Sequence, residues 1–261
     1  MFETARYEAS RRIRGTAVLT AGIGAYAAFV VWYFTQLEGV DLDEMLESMP
    51  PAMMEAFGIE AMTTIEGFLG AQFYSFVWLL GLGLYFAYAA GGAIASDIEH
   101  DRMDLLLSFP LSRSNLLTEK FTSLLVPLAA LNVVVGAVVY VLVLAIGESI
   151  DPAHLALVHL LSIPYLLVCT GIGLVLSVLV DRADVAQRIA VALVFVLFLV
   201  ESLVAGAGDF EWIQYVSPTH YYDPTPILID GTYRLADTGI LLAAFLVLSI
   251  VSRFLFRRRD I

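Results

Sequence analysis

GGAIASDIEHDRMDLLLSFPLSRSNLLTEKF, from Gly91 to Phe121, is a polar stretch between two long apolar segments, and we call it the hinge. Four acids, one arginine and one histidine fall within positions 97–104, and three consecutive leucines occupy 105–107. The charged part cannot enter hydrocarbon, because a charged side chain at the centre of a bilayer costs about 2.5–3.5 kcal/mol. The leucines are too apolar to remain free in water. We therefore predict that the hinge packs on another protein or on the membrane surface, and that Ser114 or Asn115 caps the helix after it.

The composition indicates an integral membrane protein. Of 261 residues, 59% are hydrophobic and 15% charged, and the mean hydropathy is +0.82. Soluble domains carry about 45–50% apolar and about 25% charged residues, whereas each bilayer span needs about 20 mostly apolar ones. The sequence predicts an all-α, polytopic membrane helical bundle in a single transmembrane domain, 1–261, with an N-terminal interfacial helix at 1–15. Its six predicted spans are 16–37, 68–96, 116–146, 155–180, 189–206 and 238–256.

The basic residues predict the orientation of the bundle. An even number of spans places both termini on one side, and 13 of the 14 Lys and Arg residues then fall on that side, leaving only Arg234 on the other. Such an excess marks the cytoplasmic face. We therefore predict that the N and C termini are cytoplasmic, together with a cytoplasmic loop at 97–115, and that the outer loops are 38–67 and 207–237.

The acidic residues are concentrated in the predicted outer loops. The formal net charge is −12, and only one lysine accompanies 13 arginines. A high net charge keeps a surface hydrated, as in halophiles, so we interpret the acids as a salt-adapted, halophilic outer surface rather than as a cation site. The methionines of loop 38–67 are spaced like the apolar faces of two short helices broken at Pro50 and Pro51, which favours packing over a metal site.

Few polar groups lie within the predicted spans. Asn132 should hydrogen-bond to a neighbouring helix or line a path, because an amide in lipid needs a partner. Glu201 lies near the outer end of the fifth span, where it can line a translocation path, reach water or snorkel. His154 and His159 begin the fourth span and are interpreted as histidines at the membrane interface.

Catalytic and metal-binding patterns are absent from the sequence. It has no HExxH motif, no suitable GxSxG motif and no paired Cys and His. The only lysine, Lys120, is not part of a GxxxxGK[ST] phosphate loop. We predict no enzyme activity, no metal site, no cofactor and no nucleic-acid partner for this chain, so any ATP hydrolysis that drives it belongs to another polypeptide.

The hinge resembles the first inner loop of type-two ABC exporter permeases. In that family a helix end rich in small residues leads into an acidic pair, a leucine-rich helix, a Pro-x-Ser-Arg step and a lysine near the next span. Here the corresponding residues are Ala95, Asp97, Glu99, Asp104, Leu105, Leu106, Leu107, Pro110, Ser112, Arg113 and Lys120. The segment YVSPTHYYDPTPILIDG at 215–231 is similar to the family's last outer loop. Asp101-Arg102 departs from the Gly-Thr of many members.

The resemblance implies a six-span permease subunit of the cell (plasma) membrane. Two permease subunits, identical or related, would form the path, and two cytoplasmic ABC ATPase subunits would bind ATP and Mg²⁺ below them. The hinge would dock its leucine helix into a groove of the ATPase and transmit closure of the ATPase dimer, with Asp97, Glu99, Arg102 and Arg113 in contact with the rim of that groove. The implied coupling residues are Asp97, Glu99, Arg102, Asp104, Leu105, Leu106, Leu107, Pro110 and Arg113.

Other functions remain open from the sequence. A membrane anchor or assembly subunit could use the same hinge to hold a soluble partner without transporting anything. An intramembrane enzyme would need paired acids or a nucleophile within the membrane, and a channel would need a charged ring or a filter loop. None of these is visible, and the spans indicate no chemistry for a transported substrate.

Overall fold

The computed structural model describes residues 3–37, 63–103, 108, 112–204 and 208–259, and these are mostly helical with no strand among them. The α-helices in chain order are α1 (Glu3–Leu37), α2 (Ile65–Leu69), α3 (Leu82–Gly91), α4 (Ala95–Glu99), α5 (Arg113–Ala145), α6 (Pro152–Leu179), α7 (Ala183–Val204), α8 (Pro224–Asp230) and α9 (Leu235–Arg258). Six candidate membrane-spanning helices are formed from them, which confirms the predicted helical bundle. The two apolar helices expected in loop 38–67 fall largely outside the described residues.

Several helices begin a few residues before the apolar stretches from which the spans were predicted. Helix α5 starts at Arg113 because the Ser112 hydroxyl accepts the Asn115 N–H at 3.2 Å, and α6 starts at Pro152 because the Asp151 carboxylate accepts the Ala153 N–H at 2.7 Å. The prediction of Ser114 or Asn115 as the cap was therefore wrong. A cap satisfies the free N–H groups of a polar first turn that a hydropathy window does not count as part of a span.

The N-terminal segment is helical and continues without a break into the first span. Helix α1 runs from Glu3 to Leu37, about 52 Å at 1.5 Å per residue. It packs along α5. Because α1 is longer than the roughly 30 Å of a hydrocarbon core, its first turns extend beyond the apolar part, and Glu8 is thereby carried to the end of the bundle that holds the hinge. We call this the hinge end and the opposite end the far end.

The second span is a composite of four helical pieces. A π-helical segment, Gly70–Gly81, joins α2 to α3, and turns at 92–94 separate α3 from α4. Asp97 and Glu99, expected in a loop, therefore lie on a short helix that ends at Glu99. This break places the start of the hinge inside the packed part of the protein.

Helix α6 is the centre of the bundle and packs against α3, α5, α7 and α9. Its close approach to α3 depends on glycine: a Cβ at Gly173 would lie 2.4 Å from the Ala87 carbonyl oxygen, and one at Gly83 would lie 2.7 Å from Tyr165 Oη. Small residues let membrane helices approach closely, so Gly83 and Gly173 serve the packing of α3 on α6.

The far end is covered by the segment before α9. Two 3₁₀-helices, Gly208–Val216 and Pro218–Tyr221, lead to α8, which packs on α2, the π-helical segment and α6. The Tyr222 hydroxyl donates to the Val158 carbonyl at 2.8 Å, and Gly231 ends α8 with φ 66°, a left-handed turn that suits glycine.

Candidate functional site

Ser177 of α6 stabilises the helix break at the start of the hinge. Its hydroxyl oxygen accepts the backbone N–H groups of Ile94 at 2.7 Å and of Ala95 at 3.0 Å. Both donors are buried, and a buried N–H without a partner destabilises the fold. One side chain of the central helix thus fixes the geometry of α4.

Asp97, Lys120 and Glu8 form a buried ion cluster that joins α4, α5 and α1. Lys120 Nζ lies 2.6 Å from Glu8 Oε1 and 2.7 Å from Asp97 Oδ2, the second an ion pair without hydrogen-bond alignment. The Lys120 and Asp97 side chains are only 6% and 7% exposed. A buried charge is tolerated when it is paired, so the only lysine of the chain neutralises two acids from two other helices.

The titration of Glu8 reflects this pairing. Burial acts to raise its pKa, but the hydrogen bond and charge of Lys120, with the charges of Arg12 and Arg11, outweigh burial and hold the pKa below the usual 4.5. An acid whose pKa is lower in the folded state stabilises the fold above its unfolded pKa. That stabilisation is lost as the pH falls through the folded value. The cluster is therefore intact at neutral pH.

Arg102 follows α4 in the chain and contacts two residues of that helix, Ser96 and Asp97. Its guanidinium lies 3.2 Å from Asp97 Oδ1 and donates to the Ser96 hydroxyl at 3.0 Å and the Ser96 carbonyl at 3.2 Å. These contacts line one side of a polar cleft of about 450 Å³, which Glu8, Arg12 and Lys120 also line. The half-exposed Arg102 side chain therefore links the buried cluster to the surface of the hinge end.

Glu99 joins the hinge to the connection between α6 and α7. Its carboxylate accepts the Ala183 backbone N–H at 2.9 Å, and Ala183 is the first residue of α7. An acid at a helix N-terminus satisfies a free donor and interacts favourably with the helix dipole. Glu99, which the resemblance assigns to the rim of the ATPase, is thus engaged within this chain.

Arg113 joins the other end of the hinge to the last span. Its guanidinium donates to the carbonyls of Phe256 and Arg259 at the end of α9, and Arg259 in turn donates to the Val178 carbonyl and the Asp181 carboxylate. Arginine suits such sites because its planar group presents several donors at once. Helices α5, α6 and α9 therefore meet at one set of contacts.

The sequence-predicted coupling residues divide into two groups. Asp97, Glu99, Arg102 and Arg113 lie at the hinge end and contact other parts of the chain. The remaining five, which include the leucine helix, lie outside the described residues; they are Asp104, Leu105, Leu106, Leu107 and Pro110. The sequence analysis did not identify Glu8 or Ser177 as part of the site. The only indication in the sequence is that each is a polar residue within or beside an apolar helix.

The predicted path residues lie apart from the hinge and from each other. The Asn132 amide donates to Leu128 in its own helix at 2.8 Å and accepts the Ser162 hydroxyl of α6 at 3.2 Å, so it does hydrogen-bond to a neighbouring helix. Glu201 of α7 is half-buried and interacts electrostatically with His220. The described partners of Asn132 and Glu201 have no residue in common.

The prediction of two interfacial histidines was wrong for His159. Its side chain is 6% exposed, and Nε2 lies 3.0 Å from Tyr74 Oη on the π-helical segment. A histidine near the end of an apolar stretch can turn inward when another helix supplies a hydroxyl, and the sequence does not reveal that partner. His154 is half-buried with Nδ1 3.2 Å from the Leu228 carbonyl.

Six apolar helices, with α6 at their centre and both ends of the hinge held by contacts to other helices, are those of a multi-pass membrane protein. A family model described as "ABC-2 family transporter protein" matches residues 9–261, and the chain belongs to that family. The resemblance drawn from the hinge is therefore confirmed. A search of the curated proteins finds no match.

Proposed function

We propose that this chain is the permease subunit of an ATP-driven exporter of the cell membrane, coupled through its hinge to a separate ABC ATPase. The chain belongs to a family of transporter membrane components that associate in general with an ABC ATPase. In this proposal the hinge end is cytoplasmic, two copies or a related pair form the path, and two ATPase subunits bind them. ATP and Mg²⁺ are held by the ATPase.

The observation that carries the proposal is the bracing of both ends of the hinge. Its first end is held by Asp97 on Lys120 and by Glu99 on Ala183, and its second end by Arg113 on α9. A displacement of residues 104–111 would therefore act on several helices together rather than on a free loop. Rigid-body motion of packed elements is an established way to transmit a conformational change.

Within this proposal the hinge residues have two roles. Leu105, Leu106 and Leu107 supply the apolar face that enters the ATPase groove, as in other helix-in-groove contacts. Asp97, Glu99, Arg102 and Arg113 position that face and link it to the spans. This revises the expectation that the charged residues contact the ATPase rim directly.

Co-purification tests the proposal. The tagged chain is isolated from its native membrane under gentle conditions, and the bound proteins are identified by mass spectrometry. We expect an ABC ATPase subunit, and we expect its loss when Leu105, Leu106 and Leu107 are replaced with Ser, because the apolar contact that drives docking is removed. The matched control replaces Leu242, Leu246 and Val247 of α9, which are exposed among the described residues, with Ala.

Recovery of the ATPase with both triple variants would contradict the hinge as the docking element. Purification of the unaltered chain without any ATPase would instead favour a membrane anchor or assembly subunit.

A further inference from the structure

The polar cleft at the hinge end carries an excess of positive charge. Its volume is about 450 Å³, and it lies among α1, the start of the hinge and α5. Four cationic and two acidic side chains line it, which gives a formal net charge of +2 when His100 is neutral. The cations are Arg11, Arg12, Arg102 and Lys120, and the acids are Glu8 and Asp97.

The charged groups that a ligand can reach in this cleft are mainly the positive ones. The side chains of Asp97 and Glu8 are only 7% and 19% exposed, and both contact the lysine. The Arg102 side chain is 46% exposed, and of the two arginines of α1 one is exposed and the other half-buried. The lysine thus already compensates the acids, while arginines on two sides of the cleft remain within reach. An anion that enters the cleft therefore meets guanidinium groups.

An exposed apolar face of α1 leads away from this cleft. Gly15, Val18 and Gly22 follow Arg11 at intervals of four, seven and eleven residues, which places them on one face of the helix, and all of them are exposed. Val18 is 73% exposed, and apart from α1 itself no described atom lies within 4 Å of a Cβ placed at either glycine. These residues belong to the first span. The cleft therefore lies where the polar end of the bundle meets the membrane.

We propose that the cleft binds the phosphate group of an anionic phospholipid, with the headgroup at Arg11, Arg12 and Arg102 and an acyl chain along the exposed face of α1. A guanidinium suits this ligand because its planar fork of donors matches the oxygens of a phosphate. Basic pockets between membrane helices are suited to such headgroups. A soluble phosphate compound offers the same charge but does not use the apolar face, which favours the lipid. The inference does not depend on ATPase coupling.

Competition between two lipids tests the proposal. The full chain is stripped of lipid in detergent and mixed with equal amounts of phosphatidylglycerol and phosphatidylcholine that have the same acyl chains, and the retained lipid is identified by native mass spectrometry. We expect phosphatidylglycerol to be preferred about tenfold. Arg11→Gln with Arg12→Gln should abolish the preference, because each basic residue near an anionic lipid contributes about fivefold in affinity, or about 1 kcal/mol.

Arg257→Gln with Arg258→Gln is the matched control. It removes the same charge from the same end of the bundle, but both residues are exposed at the end of α9 and lie outside the cleft. This variant should retain the preference for phosphatidylglycerol. Circular dichroism verifies that both double variants remain helical. If the α1 variant does not fold, Arg102→Gln on the opposite side of the cleft should reduce the preference about fivefold.

Inorganic phosphate in excess distinguishes the lipid from a soluble ligand. We expect it to leave phosphatidylglycerol bound to the unaltered chain, because it cannot use the apolar face of α1. Displacement of the lipid by inorganic phosphate would keep the phosphate site but overturn the phospholipid as its source. Equal retention of the two lipids by the unaltered chain would overturn the site itself, and so would equal losses of preference in the α1 and α9 double variants.

Discussion

Replacing Lys120 with Met is expected to cause the largest loss of stability of any hinge-end substitution. The change removes the cation that lies between Asp97 and Glu8, and it leaves the buried Asp97 with only the half-exposed Arg102 as a partner. Breaking a buried pair by removing one partner costs about 3–5 kcal/mol, a large share of the roughly 5–15 kcal/mol by which folded proteins are stable. We expect little monodisperse protein after extraction, and a clear fall in the midpoint of thermal unfolding for what remains.

Two matched variants separate this effect from a general loss of positive charge. Arg188→Met removes a cation whose side chain is 82% exposed and should change the midpoint little, because surface ion pairs contribute about 0–1 kcal/mol. Adding Glu8→Gln and Asp97→Asn to Lys120→Met should recover most of the loss, since none of the three charges of the cluster then remains. An unchanged midpoint for Lys120→Met alone would show that the cluster does not hold the helices together.

The second large effect is expected for Glu99→Ala. This substitution should reduce the coupling between the permease and the ATPase rather than the stability of the fold. The substitution removes the carboxylate that accepts the Ala183 N–H, and so weakens the contact between the hinge and α7 that Ala95 and Ala186 otherwise maintain. A hydrogen bond to a charged group is worth about 1.5–3 kcal/mol. We therefore expect the ATPase to remain bound while its stimulation by the permease falls several-fold, with Glu99→Gln intermediate.

Asp101→Asn is the matched control for Glu99→Gln. Asp101 is an exposed acid of the same hinge, and asparagine tolerates its φ of 52°. This variant should stimulate the ATPase like the unaltered chain. Equal losses in the two variants would indicate that the hinge responds to its total charge and not to the contact with Ala183.

The sequence was sufficient for the bundle but not for its internal pairing. Apolar length identified the six spans. The hinge was recognisable from its charges and leucines. The ion cluster of Asp97, Lys120 and Glu8, however, could not be predicted. It joins residues up to 112 positions apart, and the local sequence pattern carries no information about such contacts.

The inward turn of His159 escaped prediction for a related reason. Hydropathy treats a histidine near a span end as interfacial, and its burial depends on Tyr74 of a helix distant in sequence. Helices α5 and α6 start earlier than predicted because Ser112 and Asp151 cap polar first turns that lie outside the apolar stretches. In each case a specific hydrogen bond decided the position that average composition left open.

The most direct measurement of coupling is the rate of ATP hydrolysis by the ATPase reconstituted in nanodiscs with this chain and with Leu106→Asp. The substitution places a charge in the face proposed to enter the ATPase groove, while the ion cluster of the hinge end stays unaltered. We predict stimulated hydrolysis with the unaltered chain and none with Leu106→Asp, with equal amounts of both permeases in the membrane. Full stimulation by Leu106→Asp would contradict the role assigned to the hinge.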